Sequence, residues 1–201
     1  MVALVSADGA TVLGVGNGWQ ACGETGDGRM LEPAQLLEDI TAFFSPKLLT
    51  GQKVLVTAGP TFEPIDPVRG ITNRSSGRQG YAIAGALAKL GARVTLVSGP
   101  VALPTPIGVD RIDVETARDM LAACQAALPA DVGVFVAAVA DWRIDEVFGT
   151  KLKKDKGGPP ALTFVENPDV LATLSASGPR RPKLVIGFDA DDTLWHNETL
   201  F

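Results

Sequence analysis

A chain of 201 residues that is 46% hydrophobic and 20% charged has enough apolar material for one sizeable core and too much for a long disordered region. Its net charge of -5, from 18 basic and 23 acidic residues, excludes broad contact with nucleic acid or an anionic membrane, while leaving room for a local basic site and small anionic substrates. Cys22 and Cys124 are too far apart for a metal or redox pair and too few for a disulfide framework. The opening MVALVSADGATVLGVGNGW lacks a basic start and is interrupted by Asp8, so neither a signal peptide nor a membrane span is expected and the setting reads as cytoplasmic.

In chain order, residues 1–30 are glycine-rich, with short strands predicted at 1–5 and 11–15. PAQLLEDITAFF, 33–44, places Leu36, Leu37, Ile40, Phe43 and Phe44 near one helical face, with Pro33 suited to a first turn. From there strand and helix alternate. KVLVT at 53–57 reads as a buried strand, and a long Gly/Pro loop leads to a helix at 80–91 stopped by Gly91. A strand follows at 93–97. Thr116 and Asp119 then form the pattern of a capping box for a helix carrying Met120, Leu121, Cys124 and Leu128.

VGVFVAAV at 132–139 reads as a strand apolar on both faces, as central parallel strands are. KLKKDKGGPP has four lysines in six residues before a turn and reads as a mobile loop. A strand at 161–165 leads to Asn167, predicted to cap a helix beginning at Pro168, and KLVIGF at 183–188 is a further buried strand. The predicted fold is α/β, an open, mainly parallel Rossmann-like sheet with helices on both faces.

Two segments stand where such sheets bind ligands. The loop from Gly59 to Gly80 runs from a strand end to a helix start, where exposed N–H groups hold anions. It is neither G-x-G-x-x-G nor G-x-x-x-x-G-K-[ST], and an ordinary loop with two capping serines is the competing reading. Asp141 follows a strand, where a carboxylate can hold Mg²⁺ against phosphate or orient a nucleotide; a plain turn or cap explains it as well. Trp142 reads as a packing residue. Lys151, Lys153, Lys154 and Lys156 offer positive charge for phosphoryl or nucleotidyl transfer, or simply a solvated surface. His196, the only histidine, reads as an exposed tail residue, and Cys124 as core.

The ordered blocks VTAGPTFEPIDPVRGITNRSSGRQG, VTLVSGPVALPTP, AAVADWR, KLKK, FVENPDV and GF resemble the phosphopantothenoylcysteine synthetase domain of the bifunctional bacterial coenzyme A biosynthesis enzymes, over roughly residues 50–188. ACGETGDGRMLEP resembles the end of their flavin-dependent decarboxylase half, with Cys22 at the proton-donor position. The resemblance implies a CTP-dependent ligase that uses Mg²⁺. The carboxylate of 4'-phosphopantothenate would attack the α-phosphate of CTP to give an acyl-cytidylate and pyrophosphate, and the amine of cysteine would then displace CMP.

By position, the resemblance makes Asn73 and Lys151 catalytic: Asn73 would hold the intermediate and Lys151 the phosphates. Gly59, Ser75, Ser76, Gly77 and Ala138 would shape the pocket, with Lys153 beside Lys151. Asp141 would contact the nucleotide or its metal, and Asn167, Pro168, Asp169, Val170 and Phe188 the cytidine side. It also implies a homodimer through this domain, with the lysine loop closing over the site.

The domain division expected is 1–45 as a decarboxylase remnant and linker helix, 46–188 as a ligase domain incomplete at its C-terminal end, and 189–201 as a divergent tail. FMN would belong only to the missing decarboxylase part. The tail DADDT resembles the first motif of haloacid-dehalogenase-type phosphatases, with Asp189 as nucleophile and Asp191 as acid/base, but their remaining motifs are absent, and phosphatase activity is not expected. The alternative to an active ligase is a catalytically inactive nucleotide-binding or dimerisation fragment of the same enzyme.

Overall fold

The computed structural model describes residues 10, 12–153, 160–176 and 178–188. The strand expected at 1–5, Lys154, Lys156 and the tail with Asp189, Asp191 and His196 lie outside them. The chain divides between Pro46 and Lys47 into two compact units.

In the first unit, β1 (Gly16–Trp19) and β2 (Thr25–Arg29) form an antiparallel hairpin, with Cys22 in its exposed connection. No strand lies at 12–15; the strand comes four residues later, where alternating glycines let two backbones pair closely. Helix α1 (Pro33–Phe44) matches the predicted bounds, with proline in its first turn. Its apolar residues share a stripe but none is buried: Leu37 is 67% and Phe44 79% exposed.

The second unit is built on β3 (Lys53–Ala58), β6 (Arg93–Ser98), β7 (Val109–Asp113), β8 (Val132–Phe135) and β11 (Leu184–Gly187). These make one five-stranded sheet in the order β11-β8-β3-β6-β7, and every neighbouring pair is parallel. Strand β3 is buried from Val54 to Ala58 and sends alternate side chains to opposite faces. Val54, Val56 and Ala58 join Val94 and Leu96 against Tyr81 and Ala84 of helix α2 (Arg78–Lys89). Leu55 and Val97 meet Met120 and Cys124 of α3 (Ala117–Ala127) and Val170 and Leu174 of α4 (Val170–Ser175). Each fully buried Val or Leu contributes about 1.5–3 kcal/mol, so the two faces together hold the sheet between its helices.

The predicted capping box is present: Thr116 Oγ1 accepts from Asp119 N at 3.1 Å while Asp119 Oδ2 accepts from Thr116 N at 3.1 Å. The helix expected at 80–91 spans Arg78–Lys89, the strand expected at 161–165 is Phe164–Glu166, and two further boundaries differ for a visible reason. The strand expected over 132–139 ends at Phe135: Val136 N still donates to Thr57 O at 3.2 Å, but the amide of Ala137 is taken by Thr57 Oγ1 at 3.3 Å and not by a neighbouring strand's backbone. Helix α4 is capped by Asp169, whose Oδ1 accepts from Ala172 N at 2.8 Å, and not by Asn167; Pro168 therefore lies outside the helix. Asn167 is used elsewhere, its Nδ2 donating to Ala140 O at 2.7 Å.

Two hairpins were not foreseen: β4 (Phe62–Asp66) with β5 (Arg69–Thr72), and β9 (Trp142–Ile144) with β10 (Phe164–Glu166). Burial pushes the Cys124 thiol up to about 12. Titration with a chromogenic disulfide should therefore modify Cys22 alone in the folded chain and Cys124 only on unfolding; rapid modification of two thiols in the native state would contradict this packing.

Candidate functional site

The order of the strands places the site. The chain runs outward from β3 through β6 to β7, then returns to the other side of β3 to lay down β8 and β11. The chains leaving β3 and β8 stay paired for a few residues and then lead to helices on opposite faces of the sheet, α2 and α4, and a crevice lies at this carboxyl edge. There the structure has a cavity of about 980 Å³.

The two loops are stitched together. Gly59 turns with a φ of +76°, its carbonyl accepts from Ala138 N at 2.9 Å, and Pro60 bridges to Ala138. Thr61 Oγ1 accepts from Ala140 N at 2.9 Å. Asn73, just after β5, closes the third side: its Nδ2 donates to the carbonyls of Ala138 (2.9 Å) and Val139 (3.2 Å). Both amide hydrogens are thereby committed to the protein, which leaves Oδ1 as its free polar atom for a ligand. Ser75 Oγ accepts from Gly77 N at 3.3 Å and shapes the turn into α2.

Of the residues singled out in the sequence, Asn73, Ser75, Ala138, Asp141, Asn167, Pro168, Asp169, Val170 and Phe188 line this one cavity, although they come from four separate stretches. Gly59, Ser76, Gly77, Lys151 and Lys153 do not. Gly59 and Gly77, both at positive φ, are turns behind the wall, and an added Cβ on either would press on Val101. Cys22 belongs to the first unit.

Sequence reasoning missed Arg74, Gln79, Thr57 and Glu166, which also line the cavity. Arg74 was hidden inside a serine-rich loop. Trp142, expected to pack, is 51% exposed and stands in the cavity wall. The ionisable groups of the wall are Arg74 against Asp141, Glu166 and Asp169. Such a wall does not by itself suit a polyanion. No cluster of three or more His, Cys, Asp or Glu that could hold a metal occurs among the described residues. Mg²⁺ is commonly held by one or two carboxylates together with phosphate oxygens and water, so an ion arriving on a triphosphate would be part of the substrate.

Beside the cavity, the β4–β5 hairpin carries two buried carboxylates. Glu63, 1% exposed, accepts from Ala117 N at 2.8 Å and thus holds the first turn of α3. Asp66, 2% exposed, accepts from the backbone amides of Val68 and Arg69, each at 2.9 Å, and from Arg69 Nε at 2.9 Å. The Arg69 guanidinium holds its carboxyl well below the usual carboxylate range, outweighing the opposing effect of burial.

Residues 49–199 match the model of the DNA/pantothenate metabolism flavoprotein C-terminal domain, three quarters of the chain. The chain belongs to this family. Among relatives, the coenzyme A biosynthesis bifunctional protein CoaBC of Vibrio vulnificus is 50% identical over 192 residues, which are 94% of this chain and 48% of that protein. The Escherichia coli protein of the same name is 45% identical over 192 residues, 94% of this chain and 47% of the relative. The chain spans about half the length of these relatives. A crystal structure of the C-terminal domain of a coenzyme A biosynthesis bifunctional protein CoaBC is similar with a TM-score of 0.61 and 42% identity, over 73% of this chain and 68% of the other. The family assignment and that structure agree with the parallel sheet, and the cavity lies in the part of the chain that the family covers.

Proposed function

We propose that this chain is a phosphopantothenate-cysteine ligase of coenzyme A biosynthesis, which activates 4'-phosphopantothenate with CTP and condenses it with cysteine. Family membership and the names of its relatives support the reading. The observation that carries it is the convergence of Asn73, Ala138, Asp141, Asn167 and Phe188 on one cavity at the switch between β3 and β8.

A carboxylate is a poor electrophile, so amide formation needs a leaving group. In the first step a carboxylate oxygen bonds to the α-phosphorus of CTP and the bond to pyrophosphate breaks. In the second the cysteine nitrogen bonds to the acyl carbon, the bond to CMP breaks, and the amine proton passes to solvent. Asn73, held by two carbonyls, would present Oδ1 at a fixed place near the acyl group. Arg74 would meet negative charge on a phosphate, and Trp142 and Phe188 would cover the pyrimidine. Lys151 and Lys153 would supply the cations that the acidic wall lacks, with Mg²⁺ brought by the triphosphate. A homodimer through this unit and a cytoplasmic setting belong to the same reading, and FMN to the other half of the bifunctional relatives. No helix among the described residues is long and apolar enough to cross a membrane.

The test is mass spectrometry of a reaction of the chain with CTP, Mg²⁺, 4'-phosphopantothenate and cysteine, in which the amide product and CMP should appear in equal amounts. Lys151→Gln should lower pyrophosphate release about 100-fold, the size of losing one charge aimed at the reacting phosphate. An unchanged rate would remove Lys151 from the role.

A further inference from the structure

Resting on the ligase reading, we infer that Asp66 is a positioning residue for nucleotide binding: it clamps the backbone of Leu152 and so fixes where Lys151 and Lys153 leave the fold. The cavity wall offers one guanidinium against three carboxylates, so the charge that balances a triphosphate has to come from outside it. Lys151 and Lys153 are exposed and flank Leu152. Leu152 is gripped at both of its backbone groups. Its N–H donates to Asp66 Oδ2 at 3.0 Å, and its carbonyl accepts from Arg69 Nη2 at 2.7 Å.

The grip has a division of labour within one carboxylate. Oδ1 accepts the amides of Val68 and Arg69 and so closes the β4–β5 turn. Oδ2 takes the Arg69 side chain and Leu152 N. A second tie, Phe148 N donating to Ile65 O at 2.9 Å, fastens the same segment to the same strand. The lysine segment, which reads from its sequence as a mobile loop, is thus anchored at Leu152 to a hairpin more than 80 residues earlier in the chain. A lysine carries its charge on a flexible stem, and holding the backbone at its root reduces the conformational freedom lost when phosphate is bound.

Asp66→Asn separates the two roles. An asparagine can keep its oxygen on the turn amides, but its NH₂ then faces the Arg69 and Leu152 donors and releases them. Steady-state kinetics of pyrophosphate release should show a roughly tenfold rise in KM for CTP, the size of one charge-assisted contact, with KM for 4'-phosphopantothenate changed less than about twofold. In the Lys151→Gln, Lys153→Gln background the same substitution should add almost nothing, because the groups it positions are gone. A KM for CTP that stays at the wild-type value in folded Asp66→Asn, or an equal rise with and without the lysines, overturns the inference. If Asp66→Asn fails to fold, Leu152→Pro, which removes the amide that Asp66 holds while also fixing φ at 152 and restricting Lys151, should raise KM for CTP by at least the same factor; no rise there also overturns it. Wild-type chain that is folded yet neither binds CTP nor releases pyrophosphate defeats the ligase reading, and this inference with it, an outcome distinct from an active wild type beside an unaffected Asp66→Asn.

Discussion

Gly99→Ala is expected to lower the melting temperature by roughly 10 °C and to abolish turnover by whatever protein still folds. The methyl group would sit 1.6 Å from Pro60 O and 2.7 Å from its carbonyl carbon, and both are backbone atoms that no rotamer change can move. Overpacking of this kind costs about 3 kcal/mol or more, and each kcal/mol lowers the midpoint of a domain this size by about 2–4 °C. Gly99 is not at positive φ, so the effect is collision and not backbone preference. Its reach extends to the site because Pro60 bridges to Ala138 and the next residue, Thr61, holds Ala140. Gly149, whose added Cβ would meet nothing within 4 Å, is the control: Gly149→Ala should shift the midpoint by less than about 2 °C. Equal midpoints for Gly99→Ala and wild type in a thermal scan would show that the loops after β3 and β6 are not pressed together.

Asn73→Asp should reduce amide formation about 100-fold or more while leaving the chain folded. The substitution swaps a donor for an acceptor of the same shape, so two carbonyls, Ala138 O and Val139 O, that now receive hydrogen bonds would face a carboxylate oxygen. Losing both bonds costs about 2 kcal/mol of stability, too little to unfold a domain of ordinary stability. A displacement of about 1 Å at a reacting centre costs about 100-fold in rate. Rapid-quench measurement of the second step, begun by adding cysteine to preformed intermediate, checks this. Amide formation at the wild-type rate would remove Asn73 from the chemistry.

Much of the scaffold was legible because its determinants are local. The apolar runs at 53–57, 93–97, 132–139 and 183–188 announced four of the five sheet strands, and the Thr116 and Asp119 pair lies three residues apart on one turn. Where partners are distant, sequence patterns failed. The β4–β5 hairpin contains Pro64, Pro67 and Gly70 and two buried acids, and nothing nearby says that Glu63 serves Ala117 N or Asp66 serves Leu152 N. Asn167 and Asp169 are both good caps; only the carbonyl of Ala140, which draws Asn167 away, decides between them. Strand β8 ends early for a similar reason, since the hydroxyl that takes the amide of Ala137 belongs to Thr57 of a neighbouring strand.

The site divides along the same line. Asn73, Asp141 and Phe188 stood in recognisable blocks, and the cavity brings them together. Arg74 and Trp142 lie inside those blocks, but nothing in their spacing distinguishes a wall residue from a surface or packing one. For Lys151 and Lys153 the sequence showed charge, and the anchoring at Leu152 came only from the folded hairpin.

The most direct test is pyrophosphate release by the purified chain with CTP and Mg²⁺, with 4'-phosphopantothenate added or withheld and cysteine absent. If the cavity activates a carboxylate, release should depend on 4'-phosphopantothenate, stop near one pyrophosphate per site, and resume when cysteine is added. Folded protein that releases none, or that releases it equally without 4'-phosphopantothenate, would contradict the account.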